Sequence, residues 1–142
     1  MPYWRLFYHL IWATRDRLPL IVPERRLEVH RVLADMARKD GIMVHAVGGS
    51  EDHVHLAVSI PPAMSIATAI GRIKGRSSHV LNPQFDGSFG WQAEYGVVSF
   101  SERDLPRVVA YVENQVRHHQ SGTLWPALEH VEASTRHDPT SG

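Results

Sequence analysis

Two periods of apolar residues run through this chain, and their order sketches a fold. "YWRLFYHLIWATR", from Tyr3 to Arg15, is aromatic and β-branched with partial alternation, which predicts a first strand. From Pro23, "PERRLEVHRVLADMARKDG" places Val29, Val32, Leu33, Met36 and Ala37 at helical spacing, with Pro23 suited to a first turn and Gly41 to a C-cap. "IMVHAVGG" at 42–49 and "HVHLAVSI" at 53–60 read as strands around a Gly48-Gly49-Ser50 turn, a hairpin ended by Pro61 and Pro62. "MSIATAIGRIKGRSSHVLN" returns to the helical period, with Ile66, Ile70, Ile73 and Val80 on one stripe and Arg72, Arg76 and His79 on another. A loop "NPQFDGSFG", a short strand "YGVVSFS" and a last helix "LPRVVAYVENQVRHHQ" follow, with Ser101 or Asp104 as N-cap candidates. The order β-α-β-β-α-β predicts an α+β fold of ferredoxin-like arrangement. It is an antiparallel sheet with helices on one face, an added C-terminal helix, and the other face uncovered. Residues 1–128 read as this single domain and 129–142 as a flexible tail, with Trp125 as an anchor in the polar stretch beyond Gln120.

Composition narrows the chemistry. The 142 residues, 43% of them hydrophobic, suit one globular domain. No run of about eighteen apolar residues is present, and the N-terminal stretch lacks a basic leader and a small-residue cleavage site, so the expectation is a cytoplasmic protein with no membrane partner. Cysteine is absent, which excludes disulfides and thiolate metal sites; a metal would be held by His, carboxylate, amide or water. Fifteen basic residues balance fifteen acidic ones, so a nucleic-acid role must rest on local charge. Only Lys39 and Lys74 of the basic residues are lysines; arginine is the better bidentate partner for phosphate.

The alternation of "SEDHVHLAVSIPP" sends Val54, Leu56, Val58 and Ile60 to one side of their strand and His53, His55, Ala57 and Ser59 to the other. The aliphatic side belongs under the helices, so both imidazoles face away from them. Two ligands do not make a metal site, and the last helix offers further donors: Tyr111, Gln115 and His118 lie at i, i+4 and i+7. Val109, Val112 and Val116 form a stripe about 100° round, expected to hold the helix while the polar stripe stays beside that contact. Spacing alone leaves a plainer reading open, with two partly exposed histidines, a half-buried tyrosine and a solvated glutamine.

"DHVHL" on a strand, then "KGRSS", "WQ" with a nearby "YG", and "YVENQVRHH" together resemble the single-tyrosine HUH transposases of insertion sequences of the 200/605 type, from about Tyr8 to His119. The resemblance implies His53, His55 and Gln115 as ligands of a divalent metal, Mg²⁺ or Mn²⁺, and Tyr111 as a nucleophile forming a 5′-phosphotyrosine. It also implies single-stranded DNA with hairpin ends as the partner, and a homodimer whose tyrosine helices act in cis or in trans. The chemistry is coherent: a cation polarises a phosphodiester, and a tyrosine of pKa roughly 10 needs a cation or base to attack near neutrality. Two nitrogen ligands favour Mn²⁺ on bare coordination preference, whereas the resemblance implies that Mg²⁺ also serves.

Further candidates are Asp52, as a carboxylate orienting His53 or a turn residue, and His118, as a substitute ligand or proton carrier. Glu113 and His119 read as surface residues. Arg72, Lys74 and Arg76 are candidate phosphate contacts or a solvated helix edge. Trp91 and Tyr95 read as base-stacking or core aromatics. Two rivals to a transposase stand: a non-catalytic module binding structured single strands, and a two-histidine phosphoesterase. The second needs a pair of His-x-Ser/Thr motifs, but position 55 is His and no second copy exists.

Overall fold

The computed structural model describes residues 3–115, 122 and 124–129. Seven principal elements follow one another: β1 Phe7–Ala13, α1 Arg26–Lys39, β2 Met43–Gly49, β3 His53–Ser59, α2 Ile66–Leu81, β4 Gly96–Phe100 and α3 Leu105–Glu113. The strands form one sheet in the order β2-β3-β1-β4 with each neighbouring pair antiparallel, the expected α+β ferredoxin-like arrangement. β3 therefore lies inside the sheet, paired on both sides.

The first face buries Leu10, Trp12, Val54, Leu56 and Val58 against Val29, Val32 and Leu33 of α1 and Ile70 and Ile73 of α2. Helical spacing in the two helices and alternation in the strands bring these side chains together. Ser65 caps α2 by accepting a hydrogen bond from the Thr68 amide, and Gly41 adopts φ +75° just past α1, the left-handed conformation that glycine tolerates. Gly48 and Gly49 belong to β2 and not to the turn, which falls at 50–52.

The second face is covered, contrary to the expectation from element order. α3 lies on it because the sheet is shallow there: Ala46, Gly48 and Ala57 leave room for a helix backbone. A Cβ on Gly48 would stand 1.8 Å from the Val112 carbonyl oxygen, so only glycine permits this approach. The second cluster joins Ala46 and Ala57 to Val108, Tyr111, Val112 and Leu128. The packed stripe of α3 is thus Val108, Tyr111 and Val112, with Gln115 also buried; of the expected valine stripe Val112 is in the contact, Val109 borders it and Val116 lies outside the described residues. The tyrosine and glutamine sit under the contact and not beside it.

After α3 the chain returns through Trp125 and a 3₁₀ turn at Pro126–Leu128. Trp125 does act as an anchor, its ring edge-on to Tyr111 at 5.7 Å and covered by the Arg107 guanidinium at 3.9 Å. Among the described residues no helix is long and apolar enough to cross a membrane.

Candidate metal and nucleophile site

Strand alternation delivers His53 and His55 to the face under α3, where they are 5% and 0% exposed. Two imidazoles this deeply buried are not the partly solvated pair of the plainer reading. Asp52 Oδ1 lies 2.8 Å from His53 Nδ1, and Ser50 Oγ lies 2.9 Å from the same nitrogen. A carboxylate only accepts, so the proton sits on Nδ1 and the Nε2 lone pair turns into the site. There Nε2 meets Glu129, whose Oε1 is 3.8 Å away. His55 Nε2 lies 3.5 Å from Glu129 Oε2.

Tyr111 completes the cluster from α3. Its ring stands edge-on to His55 at 6.1 Å, its hydroxyl donates to Glu129 Oε2, and it accepts from the Trp125 amide at 2.8 Å. Burial pushes the phenol up to about 12, Glu129 adding to the rise, while the Trp125 amide and the Gln115 side chain pull the other way. Burial alone would raise the Glu129 carboxyl, but the nearby His55, with Tyr111 and His53, outweighs it and holds the group at about 2.

The donor set suits a metal. One donor atom from each of His53, His55 and Glu129 lies within 4.8 Å of the others. Two imidazole nitrogens with a carboxylate could hold a divalent cation once they close by a few tenths of an ångström to the donor separations of about 3 to 4 Å that bonds of about 2.1 Å span. Gln115 Nε2 donates to the Tyr111 carbonyl at 3.1 Å, and its buried Oε1 has no hydrogen-bond partner among the described residues. An orphaned amide oxygen one turn from Tyr111 is a further oxygen donor.

Glu129 escaped the sequence reading, which began a flexible tail at that residue. A non-periodic loop and one 3₁₀ turn deliver it, and the only local signal is its place after buried Leu128. His9 also escaped. It is fully buried, with Nε2 2.7 Å from His55 Nδ1, and burial pushes it down to about 3, the nearby His55 contributing.

The remaining candidates fall elsewhere. Arg72 and Arg76 both pair with Asp40, at 3.3 and 2.9 Å, across α1 and α2 on the other side of the sheet from the histidines. Lys74 Nζ donates to the carbonyls of Gln92, Ala93 and Glu94, at 2.5, 3.2 and 3.3 Å, clipping that loop to α2; burial lowers it to about 8. Trp91 is half-buried against the core, edge-on to Trp12 at 6.0 Å with Nε1 donating to Ser77, and Tyr95 packs against the same core. Glu113 is exposed, as expected, whereas His118 and His119 lie outside the described residues. Beside His53 an open cleft of about 470 Å³ is lined by Arg17, Pro19, Ser50, Glu51 and Asp52.

The chain is similar to known proteins in sequence and in fold. The chain is 30% identical over 119 residues to the ISDra2 transposase TnpA of Deinococcus radiodurans, covering 79% of this chain and 85% of that protein. A transposase for insertion sequence element IS200 from Salmonella typhimurium is 30% identical over 82 residues, 58% of this chain and 54% of that protein. Among solved structures, a Deinococcus radiodurans R1 protein described as a transposase superposes with a TM-score of 0.65 at 29% identity, over 81% of this chain and 95% of that one. A REP-associated tyrosine transposase bound to a REP hairpin gives 0.60 at 14% identity, over 89% of this chain and 81% of that one, a likeness of fold. The family model described as "Transposase IS200 like" matches residues 2–115, and with these relatives it establishes that the chain belongs to the IS200-like transposase family.

Proposed function

We propose that the protein cleaves and rejoins single-stranded DNA at hairpin-bearing element ends, with Tyr111 as nucleophile. The observation that carries the reading is the meeting of the Tyr111 hydroxyl, two imidazole Nε2 atoms and the Glu129 carboxylate in one buried cluster. His53 and His55 would hold a divalent cation, with Glu129 and Gln115 as the available oxygen donors, and Asp52 fixes the His53 tautomer. Tyr111 Oη attacks the scissile phosphorus and gives up its proton, the bond to the 3′ oxygen breaks, and that oxygen gains a proton, leaving a 5′-phosphotyrosine and a 3′-OH that reverses the step on another strand.

The directions of the two shifts decide what Glu129 does alone. Burial raises the phenol while His55, Tyr111 and His53 lower the carboxyl, a gap that keeps the proton on Tyr111 without further help. A divalent cation, when bound, supplies the positive charge that narrows this gap and polarises a nonbridging phosphate oxygen. Either Mg²⁺ or Mn²⁺ meets that need, and the two nitrogen donors favour Mn²⁺. The open cleft beside His53, with Arg17 on its rim, is the approach for the strand. Cis action is supported by the seating of Tyr111 beside its own chain's histidines, and a homodimer remains compatible with it.

The test is incubation of purified protein and Mn²⁺ with single strands spanning the DNA on either side of the gene. A covalent protein–DNA adduct on a denaturing gel, absent in Tyr111→Phe, is expected; equal adduct from both proteins would remove Tyr111 as nucleophile. The phenol resting on Glu129 also favours a second reading, a binding module without cleavage. It predicts hairpin binding that survives His53→Ala and no adduct with any metal.

A further inference from the structure

Alternation in β1 places Phe7, His9, Ile11 and Ala13 on the same face as His53 and His55. The register sets Ile11 opposite His55 and His9 opposite Ala57, so His9 is the diagonal neighbour of His55. The two rings stand 4.9 Å apart and tilted, with Nε2 of His9 and Nδ1 of His55 in hydrogen-bond contact at 2.7 Å. Two ring nitrogens this close share one hydrogen, so one must donate and the other accept. For His55 Nε2 to bind a cation, the proton of that ring must be on Nδ1, which makes His9 Nε2 the acceptor. The remaining proton of His9 then sits on Nδ1, a buried atom with no hydrogen-bond partner among the described residues. An apolar side chain would fill the position without that cost. Within the described structure the one polar contact that rewards an imidazole there is the one to His55.

We propose that His9 is a positioning residue: its Nε2 accepts from His55 Nδ1 and locks His55 in the tautomer and ring orientation that present Nε2 to a divalent cation. His9 thus stands to His55 as Asp52 stands to His53. The inference rests on the reading of His53 and His55 as metal ligands. It assigns the two rings unequal partners, an anionic oxygen for His53 and a neutral nitrogen for His55.

Mn²⁺ titration followed by electron paramagnetic resonance, on the full chain, His9→Leu and His9→Gln, tests it. Loss of a group orienting a metal-bound histidine lowers affinity about 10- to 100-fold, the result expected for His9→Leu, with a melting temperature no lower than the parent's. Glutamine places an acceptor oxygen near the Nε2 position, so His9→Gln is expected to recover most of that affinity. Equal Mn²⁺ affinity in the parent and a folded His9→Leu would overturn the proposal. Failure of the parent itself to bind Mn²⁺ would remove the metal reading, and His9 with it. Should His9→Leu not fold, long-range ¹H–¹⁵N spectra of the Zn²⁺-loaded parent decide: protonation of His55 at Nδ1 is expected, and a bare Nδ1 overturns it.

Discussion

Replacing Gly48 by alanine separates the two halves of the site. The new Cβ would stand 1.8 Å from the Val112 carbonyl oxygen and 2.7 Å from its carbon. Carbon and oxygen settle at roughly 3.3 Å even in close contacts, so α3 must retreat by about 1.5 Å. Tyr111 precedes Val112 in α3 and moves with it, whereas His53 and His55 are held in β3 by pairing on both sides. Overpacking of this kind costs about 1–3 kcal/mol, which a domain of ordinary stability survives folded. A displacement of about 1 Å at a reacting group costs about 100-fold in rate. The expected outcome for Gly48→Ala is therefore a modest fall in melting temperature and a loss of adduct formation of about 100-fold or more. Gly71→Ala is the control: nothing lies within 4 Å of its Cβ, and α2 gains up to about 1 kcal/mol. A Gly48→Ala protein that forms adduct at the parent rate would refute the packing of α3 on β2 in the reacting state.

Two more outcomes follow from buried charge. His30 is pushed down to about 4 from 6.5 by burial and by Arg26, so as pH falls the unfolded chain takes the proton first. Its share of stability is intact above pH 6.5 and drains toward pH 4, by roughly 3 kcal/mol, and His30→Leu should flatten urea midpoints across that window. An equally steep fall in the variant would contradict this. Glu129→Gln removes both the charge and the charged acceptor that raise the Tyr111 phenol, so its ultraviolet titration, isolated by difference against Tyr111→Phe, should move to lower pH. An unchanged or higher midpoint would show that Glu129 does not govern the phenol.

The fold was legible because its signals are local. Val29, Val32, Leu33, Met36 and Ala37 were found by spacing and all are buried, and the alternation of β3 assigned both histidines to the right face. The burial of that face was not legible, because it depends on three small residues, Ala46, Gly48 and Ala57, lying side by side across two strands. Helix period says which residues share a stripe, not which stripe meets the protein, and so the seating of α3 was missed by about one position. His9 carried a readable signal, the same alternation that exposes His53 and His55, but its partner is set by strand pairing 46 residues away in sequence. Glu129 had no periodic context, and only the completed chain path brings it to Tyr111, 18 residues earlier.

β3 has neighbours on both edges, while Tyr111 and Glu129 ride on a nine-residue helix and a single 3₁₀ turn at the periphery. Amides in the middle of a sheet exchange only when the whole domain opens, whereas short outer segments come away at far lower cost. The imidazole pair is thus mounted on an inner strand of the sheet and the phenol on a helix laid over it. Such a division lets the two halves of the site be perturbed separately. Under the reaction proposed above, a shift of α3 would carry the phenol away from the imidazoles while leaving their strand in place.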